Sequence, residues 1–167
     1  METSPGRLRH ALGRLSLAGD PRVLEAVASW HHGQWAGPRG ESLPQVQERL
    51  RERLRRGAGE TWVYLADGKP AATARLLHDE NPIAPGNVLL LADLLVAPEW
   101  RGQGIGRALC AHMVALARQE RAGPLHALTV DRVDFFRKVG FRCLADTVVT
   151  AIGRTRVLAS LLVHDRS

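Results

Sequence analysis

A glycine-rich loop, Arg101-Gly102-Gln103-Gly104-Ile105-Gly106, follows a predicted buried strand and precedes a predicted helix. Glycine lets the backbone approach a ligand closely and adopt positive φ angles. The N–H groups of such a loop and of the first helical turn point towards the ligand, and the helix dipole favours negative charge there. Arg101 and Arg107 offer charge-assisted contacts to phosphate oxygens. The spacing therefore predicts a phosphate-binding site.

Two common phosphate-binding loops fit this sequence poorly. A P-loop is excluded because no Gly-Lys-Ser/Thr sequence follows the glycines. A dinucleotide fingerprint would use Gly102 and Gly104 as its first two glycines and Asp131 as its ribose-binding acid. However, the third glycine position holds Arg107, whose large side chain would block close packing of helix against strand. The stretch after Asp131 is also too short for further βαβ units.

Hydrophobic patterning predicts the elements that must position the loop. Val88 to Val96 is a nearly continuous apolar run, which indicates a central strand covered on both faces. Apolar side chains recur at helical spacing from Ile105 to about Arg121, and Gly123-Pro124 stops this helix. Leu125 to Val130 is predicted to be the next strand.

Capping and turn signals place the remaining elements. Asp20-Pro21 predicts the start of a helix that runs to about Trp35, and Ser42 with Gln45 predicts a capping box for a second helix. Asp67-Gly68 is typical of a hairpin turn, and Asp131 is expected to cap a short helix. Further strands are expected at residues 7–17, 61–66 and 70–77 and on both sides of Gly153. The order β-α-α-β-β-β-α-β-α-β-β describes one α/β domain with a mixed sheet over residues 1–167.

Composition excludes several classes of protein. The chain has 167 residues, of which 45% are hydrophobic and 24% charged, and this argues against a disordered or fibrous protein. Two cysteines are too few for a disulfide scaffold. The longest apolar run, Val88 to Pro98, is interrupted by Asp93 and is too short to cross a bilayer. We therefore expect a soluble cytoplasmic protein that is not bound to a membrane.

The charge balance is basic, with 23 Lys+Arg against 17 Asp+Glu, and 21 of the basic residues are arginines. Arginine binds phosphate oxygens well, which favours a polyanionic ligand such as a phosphate-rich cofactor or a nucleic acid. The same bias is typical of a GC-rich genome, and the scattered arginines leave both explanations open. Scattered arginines with one glycine loop do not make a nucleic-acid-binding motif, so no nucleic-acid partner is expected.

The stretch Val96–Gly106 resembles motif A of the GCN5-related N-acetyltransferases (GNAT). That motif has arginine or glutamine, two residues, glycine, one residue, and then glycine or alanine, and Arg101, Gly104 and Gly106 match it. Further along the chain, Phe135-Phe136-Arg137-Lys138-Val139-Gly140-Phe141 resembles the second signature of the family. The predicted order of elements is also similar. The resemblance implies a single-domain α/β fold with a mixed, mostly antiparallel sheet, splayed between strands 4 and 5 and flanked by helices.

Acetyl-CoA is the co-substrate that this resemblance implies, without a metal. The pyrophosphate would sit on the glycine loop, and the pantetheine arm would pair with the fourth strand. The implied binding residues are Leu94, Leu95, Val96, Arg101, Gly102, Gln103, Gly104, Ile105, Gly106, Arg107 and Phe136. A backbone N–H near Val96 would hold the acetyl oxygen.

The family transfers the acetyl group directly to a primary amine, here of an unidentified small molecule, peptide N-terminus or lysine. Asp93 is the candidate base, although a carboxylate hydrogen-bonded within the sheet fits the position equally well. His78, Asp79 and Glu80 follow the third strand, either on the acceptor side or as a solvated loop. Phe136 stands where the family often has a tyrosine as general acid. An acyl-CoA-binding sensor or interaction module is therefore the alternative, and either a monomer or a homodimer is expected.

Overall fold

The computed structural model describes residues 9–120, 123–152 and 155–165, with the side chains of Glu80 and of residues 150–152 and 155–161 left out. The chain groups into two compact units. The first unit contains the residues up to Thr73 together with Leu95–Gly106, and the second contains Ala74–Leu94 together with the residues from Arg107 onwards. Each unit is described by itself below.

The first unit begins with strand β1, His10–Arg14, which pairs antiparallel with strand β2, Glu60–Ala66. The chain between these two strands forms helices α1, Pro21–His31, and α2, Leu43–Arg56. Both helices pack their apolar faces into one core together with β2. Its buried members include Val27, Ala28, Val46, Leu50 and Val63.

Local signals in the sequence account for the starts of both helices. Asp20 accepts a hydrogen bond from the Arg22 N–H at 2.9 Å, as an N-cap should. Ser42 and Gln45 form the expected capping box at the start of α2. The end of α1 differs from the prediction, because the α-helix stops at His31 and continues as a π-helical turn over residues 32–36.

Glutamates neutralise much of the basic stripe of α2. Glu48 pairs with Arg51 and Arg55, and Glu52 pairs with Arg55 and Arg56. This exposed network explains the arginine-rich sequence of the helix as a solvated face. It gives no support to a nucleic-acid surface on α2.

Strands β3, Lys69–Glu80, and β4, Asn87–Val96, each contribute residues to both units. The second unit adds helix α3, Ile105–Gln119, strand β5, Leu125–Thr129, and helix α4, Val133–Lys138. It ends with strands β6, Arg142–Ile152, and β7, Thr155–His164. Fully buried side chains of this unit's core include Leu89, Leu109, Met113, Leu125 and Leu162.

The seven described strands form one mixed sheet in the order β1-β2-β3-β4-β5-β7-β6. Strands β4 and β5 are parallel, and their register covers only Leu89–Leu91 against Leu125–Ala127. Because β4 continues to Val96, its second half runs on without β5 as a partner. The fold class and the separation of strands 4 and 5 are thus as expected.

One capping prediction is wrong. Asp131 does not cap α4: the N-cap is Arg132, and its side chain makes no capping hydrogen bond. The Arg132 N–H instead donates to Thr129 Oγ1 at 3.0 Å, so a side chain at the end of β5 provides the hydrogen bond in this turn.

The turn predicted at Gly153 lies outside the described residues. Within the described part of the chain, no helix is both long and apolar enough to span a bilayer.

Candidate functional site

The glycine loop leaves β4 through a short 3-10 turn, Pro98–Trp100. Gly102 and Gly104 have φ angles of +76° and +79°, in the left-handed region that L side chains rarely adopt. A Cβ atom added at either glycine would meet no atom within 4 Å. The loop therefore presents bare backbone next to open space, which is what a phosphate group requires for close approach.

Arg101 links this loop to the preceding strand by a hydrogen bond. Its Nε donates to the carbonyl oxygen of Val96, the last residue of β4, at 2.9 Å. One residue further along, the Ala97 N–H donates to the Ala71 carbonyl of β3 at 2.9 Å. These bonds fix the chain between strand and loop, so Arg101 has a structural role besides its predicted contact with phosphate.

Helix α3 follows the loop directly. Ile105, its first residue, is buried, while Gly106 is half-buried and Arg107 is exposed. The Arg107 guanidinium donates to the carbonyl oxygen of Lys138 at 3.4 Å, at the C-terminal end of α4. On β4, Leu95 is buried, and its neighbours Leu94 and Val96 are half-buried.

Asp93 has a backbone conformation that the sequence did not predict. It lies within β4 and yet has a φ angle of +54°. Left-handed backbone costs an L residue about 1–2 kcal/mol, and aspartate tolerates it better than most. The position comes two residues after the register with β5 ends. No signal in the sequence marks this left-handed φ angle, because aspartate also occurs in ordinary loops and at strand ends.

An arginine on the neighbouring strand pairs with this carboxylate. Arg75 Nε lies 3.0 Å from Asp93 Oδ2, and the two side chains are only 12% and 24% exposed. The contact is an ion pair whose angle falls short of a hydrogen bond. The candidate base is thus charge-paired within the second unit, and Arg75 is a site residue that sequence analysis missed.

The other carboxylate and imidazole candidates lie at the end of β3. His78 is paired: its Nε2 is 3.1 Å from Glu120 Oε2, just beyond the end of α3. Asp79 is exposed, and the Glu80 side chain lies outside the described residues. His78 and Asp93 thus each have a charged partner, so these contacts do not distinguish between the two candidate bases.

Phe136 belongs to an aromatic cluster in the second unit. Its ring is 6% exposed and makes edge-to-face contacts with Phe135 and Phe141 at centroid distances of 5.4 and 5.2 Å. Phe141 in turn contacts the His164 ring at 5.2 Å. The ring at the family's tyrosine position is therefore held by packing and carries no hydroxyl.

Both thiols have pKa values that disfavour a thiolate. Burial raises the pKa of Cys110 to about 12. Burial and the hydrogen bond that Cys143 donates to Asp146 at 3.2 Å raise the pKa of Cys143. A nucleophilic cysteine needs a lowered pKa, so neither thiol is prepared to carry an acyl group.

The model of the acetyltransferase (GNAT) family matches residues 24–141, which include the glycine loop and the second signature, Phe135 to Phe141. The chain belongs to the GNAT acetyltransferase family. A curated relative, the peptidyl-lysine N-acetyltransferase YjaB of Salmonella typhimurium, is 28% identical over 131 residues, covering 69% of this chain and 90% of the relative.

Solved structures of other proteins share the fold of this GNAT chain. The N-acetyltransferase YhbS of Escherichia coli, solved with CoA, gives a TM-score of 0.67 at 16% identity, covering 100% of this chain and 86% of that one. NAA60 of Arabidopsis thaliana, solved with a bisubstrate analogue, gives 0.68 at 12% identity, covering 94% and 98%. At these identities the likeness concerns the fold.

Proposed function

We propose that this GNAT protein transfers an acetyl group from acetyl-CoA directly to a primary amine, without a covalent enzyme intermediate. The observation that carries the proposal is the bare-backbone loop at the end of β4, where the family's motif falls. The raised pKa values of both thiols support direct transfer, because they leave no activated cysteine. Residues 1–167 are proposed to act as one acetyltransferase domain, in the cytoplasm, as a monomer or homodimer.

The residues around Gly102 and Gly104 fit the pyrophosphate of CoA. Both glycines are exposed, and the space where their side chains would stand is open. The proposed pyrophosphate ligands are the N–H groups of the loop and of the first turn of α3, supported by the charge of Arg107. Leu94, Leu95 and Val96 are the proposed partners of the pantetheine arm. CoA was bound in the solved structure of YhbS.

Acetyl-CoA supplies a thioester whose leaving thiolate is the conjugate base of an ordinary thiol, with a pKa of about 8.5. Asp93 is proposed to take the proton that the amine loses as its nitrogen attacks the carbonyl carbon. The N–H near Val96 is proposed to stabilise the oxyanion. Phe136 offers no proton to the departing sulfur, so water is the proposed donor.

Lysine side chains are the proposed first class of acceptor. YjaB of Salmonella typhimurium is a peptidyl-lysine N-acetyltransferase, and this chain covers 90% of it at 28% identity. Peptide N-termini and small amines are the remaining classes of primary amine.

An acyl-CoA-binding module is the second candidate function. The buried Phe136 favours it, because the usual acid of the family is replaced by a packed ring. Such a protein would bind CoA and release no acetylated product.

A mass-spectrometric screen separates the two candidates. The protein is incubated with acetyl-CoA and three acceptor pools: lysine-containing peptides with blocked N-termini, lysine-free peptides with free N-termini, and small amines. We expect acetylated product in the lysine pool. Product in only one of the other two pools would mean that the acceptor is the amine of that pool and not a lysine side chain. CoA binding without product in any pool would favour the binding module.

A further inference from the structure

We propose that Arg75 is a positioning residue for acetyl transfer, which holds the Asp93 carboxylate in a fixed orientation on β4. The inference rests on the proposed function, in which Asp93 takes the proton of the acceptor amine. Arg75 lies on β3, outside both family signatures. Its partner Asp93 lies on the neighbouring strand, β4.

The ion pair is well suited to fixing an orientation. Arg75 Nε lies 3.0 Å from Asp93 Oδ2, and both side chains are largely shielded from solvent. Exposed pairs are screened by salt and constrain little, whereas shielded pairs are screened much less. The positive charge of the guanidinium attracts Asp93 Oδ2 and so favours one orientation of the carboxylate.

The backbone of Asp93 is constrained as well. Its φ angle of +54° sets the direction of the Cα–Cβ bond at a point where β4 has already left its register with β5. Strained backbone persists where the surrounding structure enforces it, and such residues cluster at functional sites. The backbone therefore sets the direction of the Asp93 Cα–Cβ bond, and Arg75 orients the carboxylate at the other end of the same side chain.

Catalysis makes such positioning valuable. A misplacement of a reacting group by about 1 Å can lower the rate by about 100-fold without changing the binding of the substrate. Removing Arg75 while keeping Asp93 should therefore lower kcat more than it raises KM. A residue that served stability alone would shift the melting temperature and leave kcat per folded molecule unchanged.

A double-mutant cycle tests the inference in the full chain. Acetyl transfer to the best acceptor is measured for Arg75→Gln, Arg75→Lys, Asp93→Asn and the Arg75→Gln/Asp93→Asn double variant. The matched control is Arg39→Gln, which removes an arginine from a similarly half-buried ion pair with Glu41 at 3.3 Å. Circular dichroism and thermal melts report the folded fraction of each variant.

We expect Arg75→Gln to lower kcat about ten-fold or more, with KM for acetyl-CoA within about two-fold of the wild-type value. Arg75→Lys should recover part of kcat because it keeps the charge. In the Asp93→Asn background, Arg75→Gln should cause no further loss, since the group that it positions is gone. Arg39→Gln should retain the wild-type kcat.

Three outcomes would overturn the inference. An unchanged kcat in Arg75→Gln, or losses that multiply in the double variant, would refute positioning while leaving the proposed function intact. A wild-type protein that acetylates no acceptor would refute the proposed function and the inference with it. If Arg75→Gln does not fold, the same cycle is run with Arg75→Lys, and multiplying losses there refute the inference in the same way.

Discussion

Replacing Gly104 with valine is the sharpest perturbation of the proposed CoA site. Gly104 has a φ angle of +79°, and a Cβ there would meet no protein atom within 4 Å. The substitution therefore costs backbone strain without a clash, about 1–2 kcal/mol for an L residue in the left-handed region. For a chain of this size that lowers the melting temperature by about 2–8 °C. The β-branched side chain of the introduced valine would occupy the space proposed for the pyrophosphate.

Gly68→Val is a closely matched control. Gly68 lies in the β2–β3 hairpin turn, has a φ angle of +76° and is equally open at the Cβ position. Both variants should lose similar stability without ligand. With CoA at about 100 times its Kd, binding adds about 2.7 kcal/mol, or about 5–11 °C in melting temperature. We expect that shift in the wild type and in Gly68→Val, and its loss in Gly104→Val.

The assay is a thermal melt with and without CoA, supported by calorimetric titration of each protein. If Gly104→Val binds CoA with the affinity of Gly68→Val, the glycine loop does not hold the phosphates. If Gly104→Val melts far below Gly68→Val without ligand, strain alone does not account for the substitution, and the loop has a structural role that the open Cβ space does not reveal.

Further expectations concern the base, the aromatic cluster and the buried groups. Asp93→Asn should lower kcat by about 10²–10⁴-fold with CoA affinity unchanged, and full activity in a steady-state assay would remove Asp93 from the mechanism. Phe136→Tyr should keep or raise kcat, whereas a ten-fold loss with CoA binding intact, about 1.4 kcal/mol, would mean that the pocket requires phenylalanine. Burial lowers the pKa of His126 from its ordinary value of 6.5, so around and below that pH the unfolded chain binds more protons than the folded one. The free energy of unfolding therefore falls as the pH is lowered, and melts of wild type and His126→Leu at several pH values should differ in this dependence. Maleimide labelling followed by mass spectrometry should modify Cys143 in the folded protein and the buried Cys110 only after unfolding, and equal labelling rates would contradict the described burial.

Local signals explain why so much of the fold could be predicted. The Asp20 cap and the Ser42–Gln45 capping box depend on residues within three positions of one another, and both formed as expected. The Asp67-Gly68 turn likewise adopts the positive φ angles that its sequence favours. Two separated signatures then predicted the family, which the family model confirms over residues 24–141.

The features that escaped prediction depend on contacts across the chain. The Arg75–Asp93 pair joins two strands, so it exists only once their register is set. The Asp131 cap was predicted from residue type alone, but Thr129 at the end of β5 provides the hydrogen bond instead. The left-handed angle at Asp93 also has no local signature, because it arises where β4 and β5 separate.

The most direct test of direct acetyl transfer is a stoichiometric time course with acetyl-CoA and a lysine peptide with a blocked N-terminus. Free CoA thiol and acetylated peptide are quantified together, and the intact mass of the protein is recorded before the peptide is added. We expect one CoA thiol released for each acetyl group on the lysine, and no acetylated protein before the peptide is present. An acetylated protein that then passes its acetyl group to the peptide, or saturating CoA binding without peptide product, would contradict direct transfer to the amine.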